Sequence, residues 1–155
     1  MENGMINELI DFVLQAKQAT YVGGGKRLLP YRLGSHDLQF QRGDWTYHDS
    51  YLGENDFMGE EIVYHKVSVV WGMNYFGRII ESQKITSTQA GDVIKQSLTQ
   101  MYKTGRFLGG FIYTVNEFTY KDMNDGDPLY FTGRETIEVN EQTVYALDYH
   151  GGLIK

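Results

Sequence analysis

The chain is predicted to be an α+β protein: a single curved antiparallel sheet of about seven strands, with two helices packed on its concave face. Three observations predict this. Residues 3–19 and 87–103 space their apolar side chains at three and four, the helical period. Between and after these stretches the period drops to two, as on a strand with one face buried. The strand-like runs are joined by links of hairpin length, which excludes a doubly wound parallel sheet, where a helix must separate successive strands.

Each element has its own signal. In 3–19, Met5, Ile6, Leu9, Ile10, Phe12, Val13 and Ala16 form the apolar stripe, and Asn3 is a suitable N-cap. Gly23-Gly24-Gly25 ends that pattern, and Pro30 keeps the next stretch irregular. Strands are expected near 36–42, 44–51, 59–66 and 67–77, turning at Arg42-Gly43-Asp44 and around His65-Lys66. The second helix, 87–103, lies between the fourth and fifth of the expected strands. It opens on Thr86 and Gln89, the spacing of a capping box, and Gly105 stops it. Strands resume near 111–121, 129–139 and 142–149, with turns at Asn124-Asp125-Gly126 and Asn140-Glu141. No internal repeat, linker or low-complexity segment is read from the sequence.

Composition narrows the function classes. A chain of 155 residues reads as one domain, 1–155, able to bury roughly two-thirds of its unfolded surface. Twelve tyrosines within 14% aromatic content favour pleated, half-buried surfaces, and 18 glycines against two prolines favour turns over disorder. The net charge is −6, and Lys26-Arg27 with Arg32 is too small a basic cluster for a nucleic-acid footprint, so direct nucleic-acid binding is not expected. The absence of cysteine excludes disulfides, thiolate zinc sites and cysteine nucleophiles, and fits a reducing cytoplasm. Met1-Glu2-Asn3-Gly4 lacks the layout of a signal peptide, and no run approaches the ~20 apolar residues of a membrane span. A cytoplasmic protein without membrane contact is therefore expected.

The chemistry lies in charged residues set inside apolar strand runs, because burying such groups is costly unless they are hydrogen-bonded, paired or used. Alternation puts His36 on the side of Leu38 and Phe40, and Asp49 on the side of Trp45, Tyr47 and Tyr51. Asp148 and His150 share one face of the last strand, and Tyr145, Leu147 and Tyr149 take the other. If the first and last strands converge, two histidines and two carboxylates form a cluster suited to acid–base work or a metal. The competing reading makes each a structural hydrogen-bonding residue, and no metal is assigned. Glu60-Glu61 sends one carboxylate to each face, where facing carboxylates would divide acid and base roles or pair with Arg32, Arg78 or Arg134. In Trp71-Gly72-Met73-Asn74-Tyr75, Asn74 offers an amide among aromatic neighbours. His48 and His65 read as solvent-facing. The triple glycine before Lys26 is not a phosphate loop, since a helix precedes it and Arg27 follows the lysine; a flexible lid is the more modest reading. There is no Gly-x-Ser-x-Gly elbow, and no cofactor motif is seen.

Gly34-Ser35-His36-Asp37-Leu38, Asp49-Ser50-Tyr51, Asp56-Phe57-Met58-Gly59-Glu60-Glu61, Trp71-Gly72-Met73-Asn74-Tyr75-Phe76-Gly77 and Leu147-Asp148-Tyr149-His150-Gly151-Gly152-Leu153 together resemble an uncharacterised bacterial domain family. Its members stand alone at about this size or follow a Cro/phage-repressor-type helix-turn-helix domain. The resemblance implies, by analogy, a small-molecule sensing module. This chain has no such DNA-binding segment, so direct DNA regulation does not carry over.

Three functions fit these residues. The first is a small-molecule sensor or carrier, with His36, Asp49, Tyr51, Glu61, Trp71, Asn74, Tyr75, Asp148 and His150 lining a polar-aromatic pocket. The second is a small cofactor-independent hydrolase or isomerase, with His150 or His36 as base oriented by Asp148 or Asp49. The third is an interaction module that forms a homodimer through its exposed sheet, without a ligand.

Overall fold

A computed structural model describes residues 3–155. In chain order the elements are α1 (Asn3–Lys17), a π-helical turn (Gln18–Val22), β1 (Lys26–Arg27), β2 (His36–Arg42), β3 (Trp45–Gly53), β4 (Asp56–His65) and β5 (Ser68–Ile79), then α2 (Ser87–Lys103), β6 (Phe111–Val115), β7 (Phe118–Asp127), β8 (Tyr130–Val139) and β9 (Gln142–Leu153). All nine strands form one open antiparallel sheet in the order β1-β2-β3-β4-β5-β9-β8-β7-β6. The class is the expected α+β, with nine strands instead of about seven, so α2 falls between the fifth and sixth. Two local effects account for the difference. The stretch 111–121 folds back on itself at Asn116-Glu117, where Asn116 takes a positive φ of 53°, a conformation asparagine tolerates better than most residues. Lys26–Arg27 adds a two-residue edge strand against β2. The turn expected at Asn124–Gly126 lies further on, because pairing continues to Asp127↔Tyr130 and leaves Pro128-Leu129 at the tip. The N-cap side chain expected at Asn3 lies outside the described residues.

α2 begins on the expected capping box: Thr86 Oγ1 accepts from Gln89 N at 3.2 Å, and Gln89 Oε1 accepts from Thr86 N at 2.9 Å. Both helices cover the same sheet face. From α1, Phe12 packs on Phe40 and Trp45, each at 5.7 Å between ring centroids. From α2, Val93, Leu98, Met101 and Tyr102 are buried in the same core. On the other face, the loop before β2 lies over Asp37 and Ser50, with Arg32 donating to Ser50 Oγ at 2.8 Å. Among the described residues no helix is long and apolar enough to cross a membrane.

The fold contains an internal duplication that sparse identities hide in the sequence. One helix and four strands (α1, β2–β5) are repeated as α2 and β6–β9. Phe57, Gly59, Glu61, Val70, Tyr75 and Gly77 recur at one constant separation as Phe131, Gly133, Glu135, Val144, Tyr149 and Gly151. One residue closer, Tyr47, Asp49 and Gly53 recur as Tyr120, Asp122 and Gly126. The turn residues correspond too: Lys66 and Asn140 both take positive φ, at 57° and 47°. In the central β5–β9 pair, Tyr75 lies opposite Tyr149. Only a residue on a twofold axis can face its own equivalent, so the pseudo-twofold axis passes between these two tyrosines.

Candidate functional site

A cavity of about 610 Å³ lies between the helices and the sheet face they cover. That is within the size range of small-molecule sites. Its polar walls come from equivalent positions in the two halves. In the first half, Asp49 on β3 stands directly across from Glu61 on β4. In the second, Asp122 on β7 stands across from Glu135 on β8. All four carboxylates are buried, and Lys17 is the one buried cation among the described residues. Arg27, Lys95 and His36 stand on the exposed rim.

Lys17 reaches down from the last turn of α1 to Glu61, with Nζ 2.8 Å from Oε1 and 2.7 Å from Oε2. Only the Oε1 contact is well aligned as a hydrogen bond. Tyr21, in the π-helical turn, donates to the same Oε1 at 2.8 Å. Tyr75 donates to Asp49 Oδ1 at 2.7 Å, while Asp49 Oδ2 is buried without a partner. Burial first, and the neighbouring Glu61 charge second, push the Asp49 carboxyl up to about 7, against the opposing pull of Tyr75 and Lys17.

The second pair is closed. Tyr120 and Tyr145 donate to the two oxygens of Glu135 at 2.5 and 2.9 Å, and Tyr149 donates to Asp122 Oδ1 at 2.7 Å. Burial, then the charge of Asp122, push Glu135 up to about 7, and burial raises Asp122 as well. Tyr102 of α2 lies within reach of all four charges: burial first, then Glu61, Glu135, Asp122 and Asp49, hold its hydroxyl protonated.

Glycines aim the axial tyrosines. Tyr75 lies over Gly59, where a Cβ would stand 2.6 Å from its Cζ, and Tyr149 lies over Gly133 in the same way. The missing side chains let each ring lie flat across the neighbouring strand and reach the carboxylate beyond. Gly133→Ala is therefore expected to displace the Tyr149 ring and cost roughly 1–3 kcal/mol. Gly91→Ala, in α2 with open space around it, should instead be neutral or add up to about 1 kcal/mol. Denaturant titration of the two variants checks the contrast.

The sheet divides the sequence-predicted residues between its faces. Asp49, Glu61 and Tyr75 meet in the cavity. Tyr51 and His36 stack at 4.8 Å at its edge. Trp71 is on the same face but buried in the core, its Nε1 donating to Pro128 O at 2.8 Å. Asn74, Asp148 and His150 are exposed on the opposite face, where Asp148 pairs with Arg134 at 3.1 Å and His150 lies across from Asn74. The sheet thus separates His36 from His150, and the two-histidine cluster does not form. His48, read as solvent-facing, is half-buried and bonds Asp37 at 2.9 Å. Burial alone would raise Asp37, but hydrogen bonds led by Ser35 and Ser50 outweigh it and hold the carboxyl at about 2. Among the described residues, no three His, Cys, Asp or Glu side chains are grouped to hold a metal ion.

Reading the sequence missed Lys17, Tyr21, Tyr102, Asp122, Glu135 and Tyr149. Asp122 and Glu135 carried a usable signal. Asp122 alternates with Tyr120, and Glu135 with Phe131 and Ile137, the same pattern that singled out Asp49.

Residues 49–154 match the model of a protein family described as a domain of unknown function, DUF5680. The matched span holds both carboxylate pairs and both axial tyrosines, and α1 with Lys17 precedes it. Searches of the curated proteins and of solved structures return no match.

Proposed function

We infer that this chain, which belongs to the DUF5680 family of domains of unknown function, is a small-molecule-binding protein. Its ligand sits in the cavity between the helices and the sheet, and the protein acts as a cytoplasmic sensor or carrier. The observation that carries this reading is Asp49 Oδ2, a buried carboxylate oxygen without a partner on the wall of a ligand-sized cavity. A fold does not leave such an atom dry without cost, and a ligand donor removes the cost. The tyrosines and Met73 supply the apolar surface that a bound molecule needs. The resemblance to domains found behind helix-turn-helix regulators favours sensing over transport.

A second reading has one observation in its favour. A carboxyl held at about 7 with one free oxygen is poised for general acid–base chemistry, so a hydrolase or isomerase would use Asp49. His36 at the rim is then the histidine in reach, since His150 faces away.

A thermal-shift screen of metabolites tests the binding reading. A ligand at 100 times its Kd should add about 2.7 kcal/mol. The hit is expected to vanish in Asp49→Asn and to persist in His150→Ala, on the outer face. Loss in His150→Ala with retention in Asp49→Asn would move the site out of the cavity. Appearance of product from the hit, followed by NMR, would select the enzyme.

A further inference from the structure

The two halves of the duplication place the same carboxylate pair on the sheet but satisfy it differently. In the second half, Tyr120 and Tyr145 close both oxygens of Glu135. In the first, the equivalent of Tyr120 is Tyr47, whose hydroxyl is buried without a partner. The equivalent of Tyr145 is Trp71, whose N–H is turned away to Pro128. Glu61 is served instead from the helix side by Lys17 and Tyr21, its Oε2 lying 2.7 Å from the Lys17 ammonium without an aligned hydrogen bond. Among the described residues, Asp49 Oδ2 has neither a hydrogen bond nor an ion pair. One acid pair is thus a finished structural unit, and the other retains an open acceptor.

The missing partner has a definite chemistry. Four buried carboxylates face one buried ammonium, so the cavity is short of positive charge and of N–H donors. The titratable groups that act on Asp49 or are acted on by it are Lys17 from α1, Tyr21 from the turn after it, Asp37 from β2, Tyr47 and Tyr51 from β3, Glu61 from β4, Tyr75 from β5 and Tyr102 from α2. Arg27, His36 and Lys95 stand at the cavity rim. Apart from Lys17, committed to Glu61, none of the groups inside that rim is a cation. Electron-rich tyrosine faces add to the attraction for one. Apolar side chains of Met73, Ile79, Leu98 and Leu147 form the rest of the wall.

Resting on the pocket reading above, we propose that the ligand is an organic amine with an apolar body, its protonated nitrogen donating to Asp49 Oδ2 in the first half of the duplicated sheet. An anion is disfavoured beside the four buried carboxyls, since Arg27 and Lys95 stand only at the rim. A neutral alcohol would satisfy the open oxygen but leave the charge imbalance. The raised Asp49 carboxyl adds a signature: an ammonium at Oδ2 favours the ionised form, so binding near pH 6.5 expels a proton.

The test is isothermal titration calorimetry with matched probes: 2-phenylethylamine and tryptamine, the alcohols 2-phenylethanol and tryptophol, and the anions phenylacetate and indole-3-acetate. Either amine is expected to bind at least tenfold tighter than its alcohol. Its enthalpy at pH 6.5 should depend on the ionisation heat of the buffer, as proton release requires. Asp49→Asn, with an intact thermal transition to show that it folds, should lose the preference for the amine. Alcohols or anions binding as well as amines would overturn the amine assignment and leave the pocket standing. No binding by any of the six would overturn this assignment, and the metabolite screen would then decide the pocket separately. Amine binding undiminished in Asp49→Asn would also overturn it.

Discussion

Lys17→Met is expected to lower stability at neutral pH by about 3–5 kcal/mol, the cost of leaving a buried carboxylate without its partner. Both partners are almost fully enclosed, with side-chain exposures of 5% for Lys17 and 0% for Glu61. The loss is therefore not softened by solvent, as it is for surface pairs. In a domain of this size it amounts to a fall in melting temperature on the order of 10 °C. Lys17 also favours the ionised forms of Asp49, Asp122 and Glu135. Adding Glu61→Gln to Lys17→Met removes the orphaned charge and should recover a substantial part of the loss, because the two changes are strongly coupled. Urea titrations of the wild type, both single variants and the double variant give the coupling directly. If the double variant is as unstable as the sum of the singles, the ion pair is not what holds α1 to the sheet.

How much of this could be read in advance follows from where each signal resides. Local signals were sufficient at some turns and not at others, since the turns at Asn116-Glu117 and Pro128-Leu129 were not expected there. The capping box at Thr86 and Gln89, and the turns at Gly43 and Asn140, are written in adjacent residues and stand where expected. Asp49 was legible on the face of Trp45, Tyr47 and Tyr51 because alternation within a strand is a local rule. Which face a neighbouring strand turns inward is a matter of register, and register is set across strands. Asn74, Asp148 and His150 alternate as described, yet β9 turns Tyr145 and Tyr149 inward and leaves its charged residues outside. Lys17 was hidden for another reason. A lysine at the end of an amphipathic helix looks solvated, and only the packing of α1 over β4 buries it. The duplication is carried by side chains that are also common in any sheet, so its identities carry weight only once the strand order makes them superposable.

The apo protein is expected to be most stable at acidic pH and to weaken as pH rises from about 4 to about 7. The sign follows from proton counts. Asp49 and Glu135 titrate at about 7 when folded, against 3.8 and 4.5 for the free side chains. Between those limits the folded state holds protons that the unfolded chain has released, so raising the pH favours unfolding. A shift of that size in one group is worth on the order of 4 kcal/mol across the window. Asp37 acts oppositely: held at about 2, it contributes stability above its free value of 3.8 that is lost as pH falls toward 2. Together these place the optimum near pH 4. Asp49→Asn retains a carbonyl to accept from Tyr75 but cannot ionise, so its stability should fall less steeply between about pH 4 and 7. Denaturant midpoints at half-unit pH steps decide the matter. A wild type that gains stability toward pH 8, with a parallel profile for Asp49→Asn, would mean that the cavity holds its carboxylates ionised and already compensated. The preference for a cation would then lose its electrostatic basis. A falling profile, flattened by the substitution or by a saturating amine, would tie the instability of the empty cavity to the charge its ligand supplies.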